Sequence, residues 1–148
     1  MKLTIASIAG RARSAHCDAL VAEYAKRTSA YLPVETVTFR TSEALFEALQ
    51  KQRSRIAATL VLLDSSGRQF SSEELARWLR RQRDEGRQRI IFAVGPADGW
   101  SNENRAQAGL LLSLGAMTLP HELARVVLSE QMYRAFTILA GHPYHTGH

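Results

Sequence analysis

The chain has 148 residues, and 45% of them are hydrophobic, which is enough to bury the core of a single domain spanning residues 1–148. It has no apolar run near the ~20 residues that cross a membrane and no signal-peptide segment before the first strand, so we expect a cytoplasmic protein with no membrane partner. The single cysteine excludes an internal disulfide, and no Cys or His spacing suits zinc, so we predict no metal site.

The formal net charge of +5 and the isoelectric point near 9.9 favour an anionic partner. Six arginines cluster around one segment in the second half of the chain: Arg77, Arg80, Arg81, Arg83, Arg87 and Arg89. Such a patch can follow a nucleic-acid backbone, and a solvated basic face is the alternative interpretation. Arg77 and Arg81 are our candidate nucleic-acid contacts.

Strands and helices alternate along the first half of the chain. Apolar and amphipathic runs predict a strand over 3–8, a helix over 14–31, a strand over 34–39, a helix that opens at Thr41 or Ser42 and fades over 51–55, and a strand over 57–63. The last run is apolar without alternation, which is typical of a strand covered on both faces.

The second half continues this alternation. The predicted elements are a loop over 64–68, a helix opened by a capping box at Ser71 and ended by Gly86, a strand over 89–94, a short helix over 102–108, a strand through Leu114 and Met117, and a helix from Pro120 to about residue 140.

This order of elements predicts an α/β domain, with a mainly parallel sheet of five to six strands and helices on both faces. Ligands bind such sheets beyond the carboxyl ends of the strands, where three loops cover residues 64–70, 95–101 and 114–121. Glycines in these loops let the backbone approach a ligand closely, although they can equally just serve turns. The sequence has no dinucleotide or nucleoside-triphosphate fingerprint.

The last predicted helix is apolar over most of its circumference. It therefore needs cover on several sides, which predicts packing both on the sheet and against a second copy of the chain, as in a homodimer. Glu130 and Arg134 fall on the same stripe as Leu123, Val127 and Ile138. A charged pair in an apolar stripe is a candidate site, and an ordinary ion pair four residues apart is the alternative.

Three motifs occur in order near the C-terminus: Leu119-Pro120-His121, Glu130-Gln131-Met132-Tyr133-Arg134-Ala135 and His142-Pro143-Tyr144-His145. They resemble the signature of the RlmH family, small SPOUT-class methyltransferases that modify a pseudouridine of large-subunit (23S) ribosomal RNA. The resemblance extends more weakly over the whole chain. It implies S-adenosylmethionine as cofactor, a C-terminal trefoil knot, a homodimer whose substrate is reached across the subunit interface, and RNA or the ribosome, rather than DNA, as partner.

The resemblance also implies roles for individual residues. The cofactor-binding positions are Leu63, Asp64, Gly67, Gly95, Pro96, Gly99, Leu114, Met117 and Leu119. The catalytic candidates are Glu130, Arg134, Tyr144 and His145, and the RNA contacts that the resemblance implies are His142, Tyr144 and His145, in addition to Arg77 and Arg81 of the basic patch. Because N3 of a pseudouridine carries an imide proton, Glu130 or a tail histidine is the candidate base, Arg134 stabilises the developing charge, and Tyr144 stacks on or orients the nucleobase. His121 either shapes the cofactor pocket or simply packs.

Two features depart from the family pattern. Val94 stands where a second glycine usually precedes Gly95, in a loop one residue longer, and Thr146 follows His145 where a basic residue is common. A non-catalytic RNA-binding or ribosome-associated protein of the same fold is the alternative function. The tail over residues 142–148 has little apolar surface, so we expect it to contribute little to folding.

Overall fold

The computed structural model describes residues 1–10, 12–52 and 58–147. Over these residues five strands alternate with five α-helices, as the sequence predicts. The strands are β1 (Lys2–Ile8), β2 (Val34–Phe39), β3 (Ala58–Gln69), β4 (Arg89–Val94) and β5 (Leu110–Ser113). The helices are α1 (Ala15–Thr28), α2 (Ser42–Gln52), α3 (Ser72–Asp84), α4 (Asn102–Gln107) and α5 (His121–Leu139), and a 3-10 turn (His145–Gly147) follows. In this part of the chain, none of the helices combines the length and apolar character needed to cross a membrane.

All strand pairings of the sheet are parallel, and the strand order is β2-β1-β4-β3-β5. The central strand β4 pairs with β1 and β3, so that Phe92 lies between Ile5 and Val61. Because every strand runs in the same direction, the carboxyl ends of β3, β4 and β5 meet at one edge of the sheet. The predicted α/β class with a parallel sheet is confirmed, and the trefoil knot stays a prediction.

Helices cover both faces of the sheet, as predicted. On one face, α3 and α5 pack on the strands, and Met132 of α5 joins Phe92 in a buried cluster. On the other face, Phe46 of α2 packs in a cluster that contains Ile91. Neighbouring residues of β4 point to opposite faces, so the continuous apolar run of this strand serves two cores.

The third strand is longer than predicted. β3 continues to Gln69 through the residues predicted to form a loop, with a register shift between Leu63 and Arg68 in its pairing with β5. Gly67 makes this possible, because a Cβ atom there would lie 2.5 Å from the carbonyl carbon of Leu111. The backbones approach more closely than a side chain allows. Residue 57, where this strand was predicted to begin, and residues 53–55 of the predicted C-terminal end of α2 lie outside the described residues.

The predicted fifth strand was placed too late in the sequence. β5 is Leu110–Ser113, whereas Leu114 and Met117 belong to the loop that leads to α5. Leu110 and Leu112 are buried and anchor the edge strand, while Met117 is 85% exposed. The apolar residues after β5 are therefore available to line a site instead of a sheet.

Helix boundaries follow the predicted capping signals. Ser71 and Glu74 form the capping box of α3, and Ser101 caps α4. α5 begins directly after Pro120, and Gly141 adopts a φ of 72° just past its end. α5 therefore leads from the carboxyl edge of the sheet to the tail, and it carries residues of both regions described next.

Candidate functional site

A pocket of about 460 Å³ lies at the carboxyl ends of β3, β4 and β5, and we call it the carboxyl-edge pocket. The loops after β4 and β5 and the first turn of α5 complete its walls. Its lining contains all but one of the residues predicted to bind a cofactor: Leu63, Asp64, Gly95, Pro96, Gly99, Leu114, Met117 and Leu119. Gly67 is outside this lining, because its position is fixed by the close approach of β3 to β5.

Gly95 and Trp100 form a tightly packed wall of this pocket. A Cβ atom at position 95 would lie 2.7 Å from Cε2 and Nε1 of the Trp100 ring. The ring is buried, and its Nε1 donates a hydrogen bond to the backbone oxygen of Leu63 at 2.9 Å. Packing therefore requires glycine at position 95. Trp100 was not predicted as a site residue, although a large apolar residue within a glycine-rich loop is a signal for one.

Asp64 and Arg105 form an ion pair in the pocket lining. Arg105 Nε donates to Asp64 Oδ2 at 2.7 Å, and Asp64 Oδ1 accepts hydrogen bonds from the backbone and side chain of Ser66. Burial alone would raise the pKa of Asp64, but these donors outweigh it and hold that pKa below its ordinary value. Asp64 thus holds Arg105 at the pocket. Arg105 was not predicted either, because its partner lies 41 residues away in sequence.

His121 lies in the lining at the first turn of α5. Both ring nitrogens are buried, and neither has a hydrogen-bond partner among the residues that the structure describes. Nδ1 lies 3.4 Å from Glu122 Oε2, which is ion-pair distance without hydrogen-bond geometry. The Glu122 carboxylate accepts instead from Arg125 and from the backbone N–H of Ser14. Buried polar atoms beside a pocket favour a role for His121 in shaping ligand binding over simple packing.

The four predicted catalytic residues come together on the second half of α5 and the tail, and we call them the tail cluster: Glu130, Arg134, Tyr144 and His145. Arg134 donates from Nε and Nη2 to Glu130 Oε1 at 3.0 and 2.7 Å. The Tyr144 hydroxyl donates to the same oxygen at 3.0 Å, and Gln131 Nε2 donates to Oε2 at 3.0 Å. The Glu130–Arg134 pair is therefore part of a network, not an isolated surface pair.

His145 joins this network to α3. Its Nε2 lies 2.7 Å from Glu73 Oε1, and its Nδ1 lies 3.1 Å from Arg134 Nη1. An arginine can only donate, so Nδ1 accepts and the ring hydrogen is on Nε2, which donates to Glu73. This hydrogen bond is the main cause that lowers the pKa of the Glu73 carboxyl. Within the described part of the chain, no group of three or more His, Cys, Asp or Glu residues could hold a metal ion.

Tyr144 docks the tail on α5. Its ring centroid lies 4.7 Å from that of Tyr133, with the rings 61° apart, and the Arg134 guanidinium lies 5.0 Å from the Tyr144 centroid. Burial, assisted by the hydrogen bond to Glu130, raises the pKa of Tyr144 to about 12. The phenol is therefore a hydrogen-bond donor at neutral pH. Stacking of Tyr144 on a nucleobase requires part of this packing to open, and it stays a prediction.

A further cavity, of about 270 Å³, lies between the first turn of α3, the end of β5 and the middle of α5, and we call it the groove. It shares Leu112, Ser113 and Leu114 with the pocket and reaches Gln131, whose amide donates to Glu130. Across the groove, Ser72 Oγ donates to Gln131 Oε1 at 2.7 Å. The residues shared with the pocket thus lie at one side of the groove, and Gln131, which contacts Glu130, lies at another.

The family model described as "Predicted SPOUT methyltransferase" matches residues 1–145. The chain belongs to the SPOUT methyltransferase family. A relative from Koribacter versatilis named "Ribosomal RNA large subunit methyltransferase H" is 50% identical over 148 residues, which cover all of both chains. Relatives of the same name from Deinococcus radiodurans (46% identical; 84% of this chain, 86% of the relative) and Gloeobacter violaceus (41%; 99% and 100%) also match. The resemblance found in the C-terminal motifs is confirmed.

Solved structures support the SPOUT fold. A probable methylase family protein from Haemophilus influenzae superposes with a TM-score of 0.61 at 10% identity, over 96% of this chain and 69% of the other. A probable methyltransferase from Bordetella pertussis gives a TM-score of 0.55 at 15% identity, over 91% of this chain and 95% of the other. At these identities the likeness concerns the fold alone.

The predicted RNA contacts of this SPOUT chain surround the tail cluster. Arg77 and Arg81 are exposed on α3 together with Arg80, and we call these three residues the arginine stripe. Glu73 lies one helical turn before Arg77, so the stripe begins beside His145. His142 is exposed, and its Nδ1 accepts a hydrogen bond from the backbone N–H of Tyr144 at 3.1 Å, so it also shapes the turn of the tail.

Proposed function

We propose that this chain is an S-adenosylmethionine-dependent methyltransferase that modifies N3 of a pseudouridine in large-subunit ribosomal RNA, on the assembled ribosome. The family supports the reaction class, and the names of the relatives support the class of RNA. The observation that carries the proposal is that one helix, α5, contributes both to a ligand-sized pocket and to a network of charged side chains. A non-catalytic RNA-binding protein needs neither feature, so that alternative is not favoured.

The residues of the carboxyl-edge pocket fit the cofactor. The volume of about 460 Å³ lies in the range of small-molecule sites, roughly 300–1,000 Å³. Gly95 lets the Trp100 ring pack against the loop after β4, backbone polar groups of the lining loops can bind an adenine edge, and leucine side chains supply apolar surface. Arg105 supplies a cation suited to the carboxylate of the methionine part. When bound, the cofactor supplies a methyl group activated by its sulfonium.

The tail cluster suits the acceptor. Methylation forms the bond from N3 to the methyl carbon, breaks the S–CH3 bond and releases the imide proton, so negative charge develops on the nucleobase oxygens before transfer. Three N–H groups of Arg134 form hydrogen bonds with Glu130 and His145. A guanidinium has about five N–H groups, so the remaining ones can donate to an imide oxygen. We assign charge stabilisation to Arg134 and orientation of its guanidinium to Glu130.

The base is either Glu130 or His145. In the structure His145 Nδ1 accepts from Arg134, so the histidine must exchange this hydrogen bond before it takes the imide proton, whereas Glu130 Oε2 accepts from Gln131 and keeps a second lone pair for a proton. A substrate oxygen that binds Arg134 is suited to cause this exchange. Proton uptake is then coupled to correct placement of the nucleobase.

The arginine stripe is the proposed entrance for RNA. Its guanidinium groups can bind successive phosphates, and the stripe leads toward the tail cluster. Phosphate contacts at this place position the RNA without reading its sequence, while the tail cluster engages the target nucleobase.

We further propose that the enzyme is a homodimer in which the tail cluster of one copy serves the pocket of the other. Ala124 lines the pocket, and Glu130 lies six residues later, about 9 Å along the helix axis, whereas transfer requires reacting atoms about 3 Å apart. A second copy can close this gap. Apolar side chains on the pocket loop, α5 and α1 support the contact: Met117 (85% exposed), Leu123 (47%) and Leu20 (44%).

Mixing two variants of low activity tests the shared site. Gly95→Val weakens cofactor binding to the pocket, so the assay uses an S-adenosylmethionine concentration near the wild-type Kd, and Glu130→Gln disables the cluster. If each site combines two chains, about half of the dimers in a re-equilibrated mixture contain one chain of each variant. Each of these dimers has one site in which an intact pocket meets an intact cluster, so activity returns to about a quarter of wild type. If each site lies within one chain, the mixture keeps the low activity of the variants. A monomer in sedimentation at micromolar concentration would contradict the dimer itself.

The substrate is tested on ribosomes from a strain that lacks the native activity. Large subunits, free ribosomal RNA and assembled ribosomes are incubated with labelled S-adenosylmethionine, and the modified nucleoside is identified by mass spectrometry. We expect N3-methylpseudouridine, formed most efficiently on assembled ribosomes. Calorimetric titration with S-adenosylmethionine and S-adenosylhomocysteine separates the alternatives, since a pure RNA-binding protein would bind neither.

A further inference from the structure

Two residues in the first turn of α3 form hydrogen bonds that lead to the tail cluster, one to His145 and the other to Glu130 through Gln131. Glu73 Oε1 accepts the Nε2 hydrogen of His145 at 2.7 Å. The residue before it, Ser72, donates to Gln131 Oε1 at 2.7 Å, and Gln131 in turn donates to Glu130 Oε2 at 3.0 Å. Two adjacent residues of one helical turn therefore reach the histidine and the carboxylate of the network.

The capping box of α3 does not use Glu73, although the Glu73 carboxylate also interacts with its own backbone N–H and with the Ser71 hydroxyl. The capping box is made by its neighbour, because Glu74 Oε2 accepts from the backbone N–H of Ser71 at 3.0 Å and the Ser71 hydroxyl accepts from the N–H of Glu74 at 3.1 Å. Glu73 instead reaches a residue 72 positions further along the chain. The capping box is thus formed by Glu74, and the contact to the tail is made by Glu73.

The contacts to Glu73 and Arg134 together decide which nitrogen of His145 carries the hydrogen. Arg134 Nη1 donates to Nδ1, so this nitrogen must keep its lone pair. A carboxylate beside Nε2 favours the tautomer with hydrogen on Nε2, and the two contacts together fix the ring plane. Without Glu73, the other tautomer would place a ring hydrogen against the donor of Arg134, and both side chains would have to move.

We propose that Glu73 is a positioning residue of the methyl-transfer site, which orients His145 and through it Arg134, while Ser72 orients Glu130 through Gln131. This inference rests on the proposed function, because it assigns the network to the acceptor side of that site. The same helix carries the arginine stripe, so RNA bound there contacts the element that holds the network in order.

Two variants at Glu73 test whether a hydrogen-bond acceptor is needed at this position. Glu73→Gln keeps an acceptor for the His145 ring hydrogen, so turnover should fall only a few-fold. Glu73→Ala removes the acceptor, and kcat should fall about 10- to 100-fold, the scale of a misplaced reacting group, with KM for S-adenosylmethionine unchanged. Glu43→Ala is the matched control, because Glu43 is also an exposed acid in the first turn of a helix, α2, away from the tail contact.

A double-mutant cycle separates positioning from general stability. If Glu73 acts through His145, Glu73→Ala should have little further effect on kcat once His145→Ala is present. Fully additive losses would overturn the proposal. Ser72→Ala and Gln131→Ala should likewise be non-additive with each other.

A nitrogen-detected NMR spectrum of labelled His145 tests the tautomer without activity. The wild type and Glu73→Gln should show hydrogen on Nε2, and Glu73→Ala should show a mixture or the other tautomer. An unchanged tautomer in Glu73→Ala overturns the proposal even if turnover falls. If the wild type methylates no ribosomal RNA, the proposed function is wrong. The spectrum still shows, independently of activity, whether Glu73 determines the tautomer of His145.

Discussion

The carboxyl-edge pocket and the tail cluster are formed by different kinds of structure. The pocket is formed by strand ends, glycine-containing loops and leucines, with one internally satisfied ion pair, Asp64–Arg105. The tail cluster consists of long polar side chains that hold one another. The fold sets the shape of the pocket, while each side chain of the cluster depends on its neighbours. Substitutions should therefore act locally in the pocket and cooperatively in the cluster.

This contrast has a functional counterpart. The pocket is placed to bind a cofactor, and the cluster is placed to act on an acceptor, so the two regions should separate in binding and turnover measurements. Uniform binding changes affect Kd or KM, whereas loss of interactions made only in the transition state affects kcat.

Removal of residues 142–148 should have the largest effect. It removes His145 and Tyr144 from the cluster, so methyl transfer should fall by at least about 100-fold, the scale of lost positioning and proton transfer. S-adenosylmethionine affinity should stay within a few-fold of wild type, measured by calorimetry. Because Tyr144 packs on Tyr133, we now expect a small decrease in Tm. Removal of residue 148 alone is the control, and unfolding or intact turnover in the longer truncation would contradict the assignment.

Gly95→Val should act on the pocket alone. The new side chain would displace the Trp100 ring, which is buried and hydrogen-bonded to the backbone of Leu63, so the Kd for S-adenosylmethionine should rise about 10- to 100-fold from an overpacking cost of ~1–3 kcal/mol. Gly147→Val is a matched control, since a Cβ atom there meets nothing within 4 Å. Unchanged affinity in Gly95→Val would remove this loop from the binding site.

Arg77→Gln combined with Arg81→Gln should weaken RNA binding while sparing both regions. Affinity should fall about tenfold at physiological salt, and the slope of log K against log salt should shrink by about 1 to 2, as expected for two lost phosphate contacts. Turnover at saturating RNA should be unchanged. Arg40→Gln combined with Lys51→Gln, at two exposed residues near the ends of β2 and α2, removes the same net charge and is the control. An equal loss in the control would indicate a non-specific charge effect.

Tyr144→Phe should have the smallest effect, a small loss of stability at neutral pH that disappears at alkaline pH. The folded-state pKa of Tyr144 is about 12, above its ordinary value of 10.0, so its stabilising contribution is fully present below pH 10.0 and is lost as the pH rises through about 12. The Tm of Tyr144→Phe should therefore decline less steeply than that of wild type over this window. Tyr31→Phe, at an exposed tyrosine, is the control, and parallel declines would show that Tyr144 is not held by the cluster.

The sequence predicted the frame of the candidate site well. Capping signals at Ser71 and Ser101 and the apolar run of β4 depend on near neighbours, and they placed these elements within one or two residues. The order of strands and helices then located the carboxyl edge. Local patterns failed where the next strand decided the outcome: β3 continues through Gly67 because β5 lies against it, and Leu114 leaves the sheet because Leu110 and Leu112 occupy the core.

The sequence by itself determined the family, the residue types of the acceptor side and the loops that line the pocket, because motif spacing and periodicity are local properties. Only the tertiary structure decided which side chains meet. Trp100 contacts Leu63 across 37 residues, Arg105 contacts Asp64 across 41, and Glu73 contacts His145 across 72. No sequence pattern encodes such pairs, since they depend on how parallel strands and α5 bring distant segments to the same edge of the sheet.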